Sequence, residues 1–197
     1  KLPARLALGW SLLALLSVVD NPEKTLRQLV VEAGRQLNPQ ASEELGRQLA
    51  QTLKAKIPVV YSDAQTWALA YAWKIKLNET GKIPAFYNVL PEANHNELAG
   101  FDPQGAMGAF LNQFAAVLLL DPRADERLAK RFTLVRKFYE AAGLPVVSLP
   151  LTDQPNPWVG IFNSMILADW TSYYLAVQAG VEPWGVPRIE EFKSQLS

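Results

Sequence analysis

At 197 residues, with 49% hydrophobic and 19% charged side chains, the chain has the composition of a globular protein with ample core. Nineteen basic and nineteen acidic residues cancel, which removes the electrostatic case for nucleic acid or an anionic membrane as partner. With no cysteine and one histidine, disulfides and thiol catalysis are excluded; a metal would have only oxygen ligands, no DxDxDG-like spacing offers them, and none is expected. The lack of cysteine also fits a reducing compartment, so a cytoplasmic location is expected.

Lys1 and Arg5 precede the apolar run "LALGWSLLALLSVV" at residues 6–19. That pattern shares the basic and apolar regions of a secretory signal. It is shorter than the roughly 20 apolar residues a membrane helix needs, and it reads equally well as an interior helix over residues 4–19, stopped by Asp20-Asn21-Pro22. The charged, amphipathic stretch 22–53 predicts two helices divided at Asn38-Pro39, with Ser42 and Glu44 marking the start of the second.

From residue 57 the pattern changes. "IPVVYS" (57–62) is a β-branched strand, followed by a helix over 64–77. "IPAFYNV" (83–89) and "AAVLLLD" (115–121) are further strands; a periodic helix over 124–142 is closed by Gly143. "PVVSLPL" (145–151) is a fourth strand and 158–180 a long, apolar helix. Between the second and third strands, "NVLPEANHNELAGF" (88–101) reads as a loop crowded with carboxylates and amides around the single histidine, His95.

Short apolar strands alternating with helices predict a parallel sheet covered on both faces, a doubly wound α/β domain. Residues 1–55 read as a helical lead-in, and 56–197 as the α/β domain with a C-terminal helix. Ligands of such sheets gather beyond the carboxyl ends of the strands. Ser62, the His95 loop and the Asp121-Pro122-Arg123 turn all follow strands and qualify by position.

Residues 73–101, "WKIKLNETGKIPAFYNVLPEANHNELAGF", resemble the bifunctional phosphoglucose/phosphomannose isomerases of the sugar isomerase (SIS) superfamily. The likeness runs through Lys76 or its neighbour, Asn78-Glu79, Lys82, Pro84, Phe86, Asn88, Pro91-Glu92 and Asn94-His95-Asn96-Glu97. "PARLALG" (3–9) is similar to a segment of that family which places Arg5 on its arginine, and "AGVEPWGVPRIEEFKSQL" (179–196) places Lys193 on its terminal lysine. The resemblance implies an SIS-type, flavodoxin-like three-layer parallel sheet. It also implies a cofactor-free aldose–ketose isomerase acting on glucose 6-phosphate and fructose 6-phosphate through a cis-enediol.

The family has two SIS domains and holds the phosphate on a Ser/Thr-rich loop of the first. "VYSDAQT" (60–66) has the hydroxyls but lacks that loop's glycine and spacing. The resemblance therefore makes this chain the second half, with residues 1–55 leading in from a first domain carried elsewhere.

Moving a proton between C1 and C2 calls for one base on the correct face, a role suited to a carboxylate. The resemblance assigns it to Glu79; local sequence alone reads Glu79 as a solvated helix-end residue. Opening the sugar ring calls for a group exchanging protons near neutrality, for which histidine is the natural choice. The resemblance assigns this to His95, with Glu92 or Glu97 available to orient it and the imidazole reaching the neighbouring subunit of a homodimer. Lys193 would assist ring opening or hold a sugar oxygen, and Arg5 would stabilise the enediolate. Mannose 6-phosphate use is linked in the family to a threonine shortly before the terminal lysine, where this chain has Trp184-Gly185-Val186. Two other readings stay open: an SIS domain that binds a sugar phosphate and regulates without catalysis, and a dimerisation half with a decayed site.

Overall fold

A computed structural model describes residues 7–19 and 24–196. The apolar N-terminal run forms α1 (Leu8–Val19) and the amphipathic stretch forms α2 (Lys24–Gln36) and α3 (Glu43–Leu53), parted by a single 3-10 turn at Pro39–Ser42. Among the described residues no helix is long and apolar enough to cross a membrane. The alternating part follows as β1 (Ile57–Asp63), α4 (Trp67–Glu79), β2 (Phe86–Leu90), α5 (Ala93–Gly100), β3 (Phe114–Leu120), α6 (Glu126–Ala141), β4 (Val146–Pro150), α7 (Pro157–Gln178) and α8 (Pro187–Ser194).

The strands pair in the order β2-β1-β3-β4, all parallel, with Val60 opposite Tyr87 on one side and Val117 on the other. Winding reverses at β1, so the switch point lies between β1 and β3. Alternation along the strands builds two cores. Val60, Ala115, Val117 and Leu119 face Leu49, Leu53, Trp73, Leu77 and Leu175 on α3, α4 and α7. Val59, Tyr61, Ala116 and Leu118 face Ala93, Phe132, Val135 and Tyr139 on α5 and α6. This is the three-layer parallel α/β sandwich that the strand and helix periods indicate.

Among the described residues, two helix starts carry a side-chain cap. Asp125 caps α6 by accepting from the Leu128 N–H at 2.9 Å, and Asn156 caps α7 ahead of Pro157. Residues 93–100 depart from the sequence expectation: they form the helix α5, not a loop. Of its eight residues only Ala93 is buried, so no apolar stripe announces it.

The pairing of α3 with α7 depends on Gly46. A Cβ there would stand 2.4 Å from Cβ of Trp170 and 3.1 Å from the Thr171 nitrogen, so the helices approach backbone to backbone. Gly46→Ala gains about 1 kcal/mol of helix propensity but forces the helices apart, an overpacking that costs about 1–3 kcal/mol. We expect a lower urea midpoint at unchanged slope; a raised midpoint would show that the helices do not meet at Gly46.

Candidate active site

Glu79 is the last residue of α4 and is half-buried. The turn beyond it is tight. A Cβ on Gly81 would sit 2.8 Å from the Leu77 carbonyl oxygen, and Lys82 adopts a left-handed φ of 58°. That conformation costs a non-glycine residue roughly 1–2 kcal/mol. The Lys82 ammonium offsets it by donating to the carbonyl of Glu79 at 2.6 Å and to the carbonyl of Gly185.

Lys82 thereby laces the C-terminal turn to the turn that carries Glu79. The Glu182 carboxylate accepts from the N–H groups of Trp184 and Gly185, and the Trp184 ring rests against Tyr173 of α7 with centroids 6.0 Å apart. A cleft of about 560 Å³ opens here, lined by Thr80, Asp169, Trp170, Tyr173 and Trp184 among others. α8 follows, with Lys193 exposed in its last turn. Arg5 lies outside the described residues.

One turn before Glu79, Lys76 is 2% exposed and its ammonium donates to Asp169 of α7. The Trp73 indole donates to Ser164 Oγ at 2.9 Å. Both bonds tie α4 to α7, and neither has a local signal, since the partners are 93 and 91 residues apart.

His95 lies elsewhere. α4 runs back across the sheet after β1, so Glu79 ends at the amino edge of the strands. β2 then crosses to the carboxyl edge before α5 begins. Its five residues, at about 3.3 Å each, put about 16 Å of strand between the two groups. The structure does not bring Glu79 and His95 together within one chain, and Glu79 is not at the carboxyl edge where position alone directs a search. His95 is exposed, and its imidazole has no hydrogen bond or ion pair among the described residues.

Direct orientation of His95 by Glu92 or Glu97 is not observed. Glu92 accepts from Asn96 Nδ2 at 3.2 Å. Glu97 turns inward and accepts from the Tyr61 hydroxyl at 2.5 Å and from Asn88 Nδ2 at 2.6 Å. The hydroxyls of Tyr61 and Tyr139 lie 3.0 Å apart. Burial, with the nearby Tyr139 and Glu97, pushes the Tyr61 phenol far above its ordinary range, and burial pushes Tyr139 up to about 12. A tyrosine inside an apolar strand needs a partner for its hydroxyl, which was the one sequence signal for this cluster.

At the carboxyl edge the groups are already paired. Asp63 Oδ1 accepts from the N–H groups of Gln65 (2.8 Å) and Thr66 (2.7 Å) and from the Thr66 hydroxyl (3.0 Å). A carboxylate of the chain itself therefore occupies the amides leading into α4. Ser62 Oγ donates to the Asp63 carbonyl. Arg123 forks onto Asp121 at 2.9 and 2.7 Å, and this hydrogen bonding holds the Asp121 carboxyl below its ordinary range. Among the described residues no group of three His, Cys, Asp or Glu converges as metal ligands would.

Residues 42–196 match the family described as the bacterial phospho-glucose isomerase C-terminal SIS domain. The chain belongs to that family. The bifunctional phosphoglucose/phosphomannose isomerase of Aquifex aeolicus is 33% identical to this SIS domain over 161 residues, covering 81% of this chain and 48% of that protein. The protein of the same name from Caldicellulosiruptor bescii is 29% identical over 210 aligned positions, 100% of this chain and 60% of that protein. A crystal structure of a glucose-6-phosphate isomerase like protein from Thermus thermophilus superposes with a TM-score of 0.64 at 26% identity, covering 92% of this chain and 59% of that one. This SIS domain thus spans about half the length of the curated relatives it matches.

The buried phenols set an alkaline limit. A phenol whose pKa folding raises stabilises the fold fully below its unfolded value, near 10, and that contribution is lost as pH rises through the folded value. Stability should therefore decline as pH climbs from about 10 toward 12 and beyond. In an ultraviolet phenolate titration, two of the six tyrosines should ionise last, and Tyr61→Phe should leave one. All six titrating together in the folded state would contradict the buried pair.

Proposed function

We propose that this domain is the base-bearing half of a cytoplasmic aldose–ketose isomerase that interconverts glucose 6-phosphate and fructose 6-phosphate. The observation that carries the reading is the lacing of the Glu79 turn to the C-terminal segment through Lys82, in a domain whose relatives are named phosphoglucose/phosphomannose isomerases. Glu79 takes the proton from C2 of the open aldose while the C2 electrons form the C1–C2 double bond and O1 gains a proton. It then returns the proton to C1, which the C1–C2 π electrons bond, while O2 gives up its own proton, replacing the one taken up at O1, and becomes the carbonyl. The Lys193 ammonium and the Arg5 guanidinium stabilise negative charge on the sugar oxygens. Mannose 6-phosphate is the poorer substrate in this reading, because Trp184-Gly185-Val186 presents no hydroxyl.

Two features argue that the site is shared. The Asp63 carboxylate fills the amides at the start of α4 and would repel a phosphate, so the phosphate is held by a first SIS domain of the same protein. His95, across the sheet from Glu79, serves the Glu79 of a second copy in a homodimer. The distance between Glu79 and His95 within one chain is compatible with a second reading, an SIS domain that regulates or dimerises without turnover.

Glu79→Gln keeps shape and hydrogen bonding but removes the base. In the full-length protein it should lower solvent-deuterium incorporation at C1 of fructose 6-phosphate and at C2 of glucose 6-phosphate at least ~100-fold, in the range of a lost general base. Unchanged incorporation would take Glu79 out of the base role, and no incorporation by the unaltered protein would favour the reading without turnover.

Subunit sharing has its own test. Glu79→Gln and His95→Ala full-length chains, each inactive, are mixed under conditions of subunit exchange. Heterodimers carry one site lacking both groups and one intact site, so partial activity should return. A verified heterodimer without activity would overturn the shared site and return His95 to the role of a surface residue.

A further inference from the structure

α5 has too little apolar surface to hold itself in place. It is eight residues long with Ala93 alone buried, and helices shorter than about 12–15 residues are marginal without tertiary support. Leu98 packs, half-buried, against the core, and the charged residue that turns inward is Glu97, one turn from Ala93 on the same face. The Glu97 carboxylate is gripped from two strands, by Tyr61 of β1 and Asn88 of β2, and Tyr61 meets Tyr139 of α6. Each element that packs against the inner face of α5 thus contributes one polar group to the same cluster.

The geometry of a helix turns this grip into an aiming device. Each residue advances about 100° around the axis, so His95, two residues from both Ala93 and Glu97, stands about 200° from each. Whenever Ala93 and Glu97 face the sheet, His95 must face away from it. We propose that Tyr61, Asn88 and Glu97 form a polar clamp that sets the roll of α5 and so directs the His95 imidazole outward. They are positioning residues, and their role in turnover rests on His95 being the ring-opening group. A charged acceptor suits the task, because charge-assisted bonds are short and strong, and an amide or phenol left unpaired in the interior is costly.

The test uses the full-length protein and a substrate pair that separates ring opening from proton transfer. Fructose 6-phosphate must open its ring; a 5-deoxyketose 6-phosphate has no O5 and stays open. Tyr61→Phe and Glu97→Gln should each lower kcat for fructose 6-phosphate about tenfold while leaving deuterium exchange into the 5-deoxy compound within about twofold, on the scale of a general acid–base step partly misaligned. Val117→Ala, a core truncation on the other face of the sheet, should not split the two substrates. Hydrogen exchange of the amides at 94–100 should rise about tenfold in both clamp variants with β1 and β3 unaffected. Exchanging the polarity of one contact, Glu97→Gln with Asn88→Asp, lets the new amide donate to the new carboxylate and should restore both readouts.

Equal losses on both substrates, unchanged α5 exchange, or a swap that restores neither readout would each overturn the clamp. If α5 loosens as expected but His95→Ala itself leaves fructose 6-phosphate turnover intact, the ring-opening reading of His95 fails, and the clamp's part in turnover with it, while its hold on α5 stands.

Discussion

All the strands run the same way, and this obliges each crossover to carry the chain back across the sheet before the next strand can begin. α4 therefore delivers Glu79 to the amino edge, and β2 carries the following residues to the carboxyl edge, where α5 presents His95. No choice of side chains could bring these two groups together within this topology. The proposal that two copies share a site rests on this separation.

The amino edge is an unusual place for a ligand site in a doubly wound sheet, and the segments around Glu79 are firmly held there. α4 is held to α7 by apolar packing and by two polar bonds, buried from Trp73 to Ser164 and partly buried from Lys76 to Asp169. A buried ammonium is tolerated only when paired, and breaking such a pair leaves an uncompensated charge in the interior. These bonds fix the rotation of α4, and one residue of slippage would turn Glu79 by about 100°. Lys82 then holds its left-handed backbone by bonding two carbonyls, one of Glu79 and one of Gly185. The strained residue is also the link between the two segments of the site.

The carboxyl edge tells the opposite story. Its amides, its arginine and its serine are occupied by neighbours in the chain: Asp63 on Gln65 and Thr66, Arg123 on Asp121, Ser62 on the Asp63 carbonyl. An anion arriving there would have to displace a carboxylate that is covalently tethered and already hydrogen-bonded. In the default crevice of this fold, these groups are satisfied by the domain's own side chains and backbone.

The strands, the long helices and their order were legible in the sequence, because alternation and 3.6-residue periodicity are local patterns that the backbone must obey. The break at Asn38-Pro39 and the motif bearing Glu79 and His95 were legible for the same reason, as was the helix entry at Ser42, although its side chain makes no capping bond there. α5 was not, since only Ala93 of its residues is buried and the contacts of Glu97, with Tyr61, 36 residues away, and with Asn88, leave no mark in its own spacing. Nor were the separation of Glu79 from His95, the pairing of Lys76 with Asp169, or the meeting of Lys82 with Gly185, 103 residues apart. Sequence by itself determined which side chains were available and which segments would be helix or strand. Only the tertiary structure decided which of them meet, because a side chain's partner across the sheet depends on strand order and helix packing, and neither is written in the spacing of neighbouring residues.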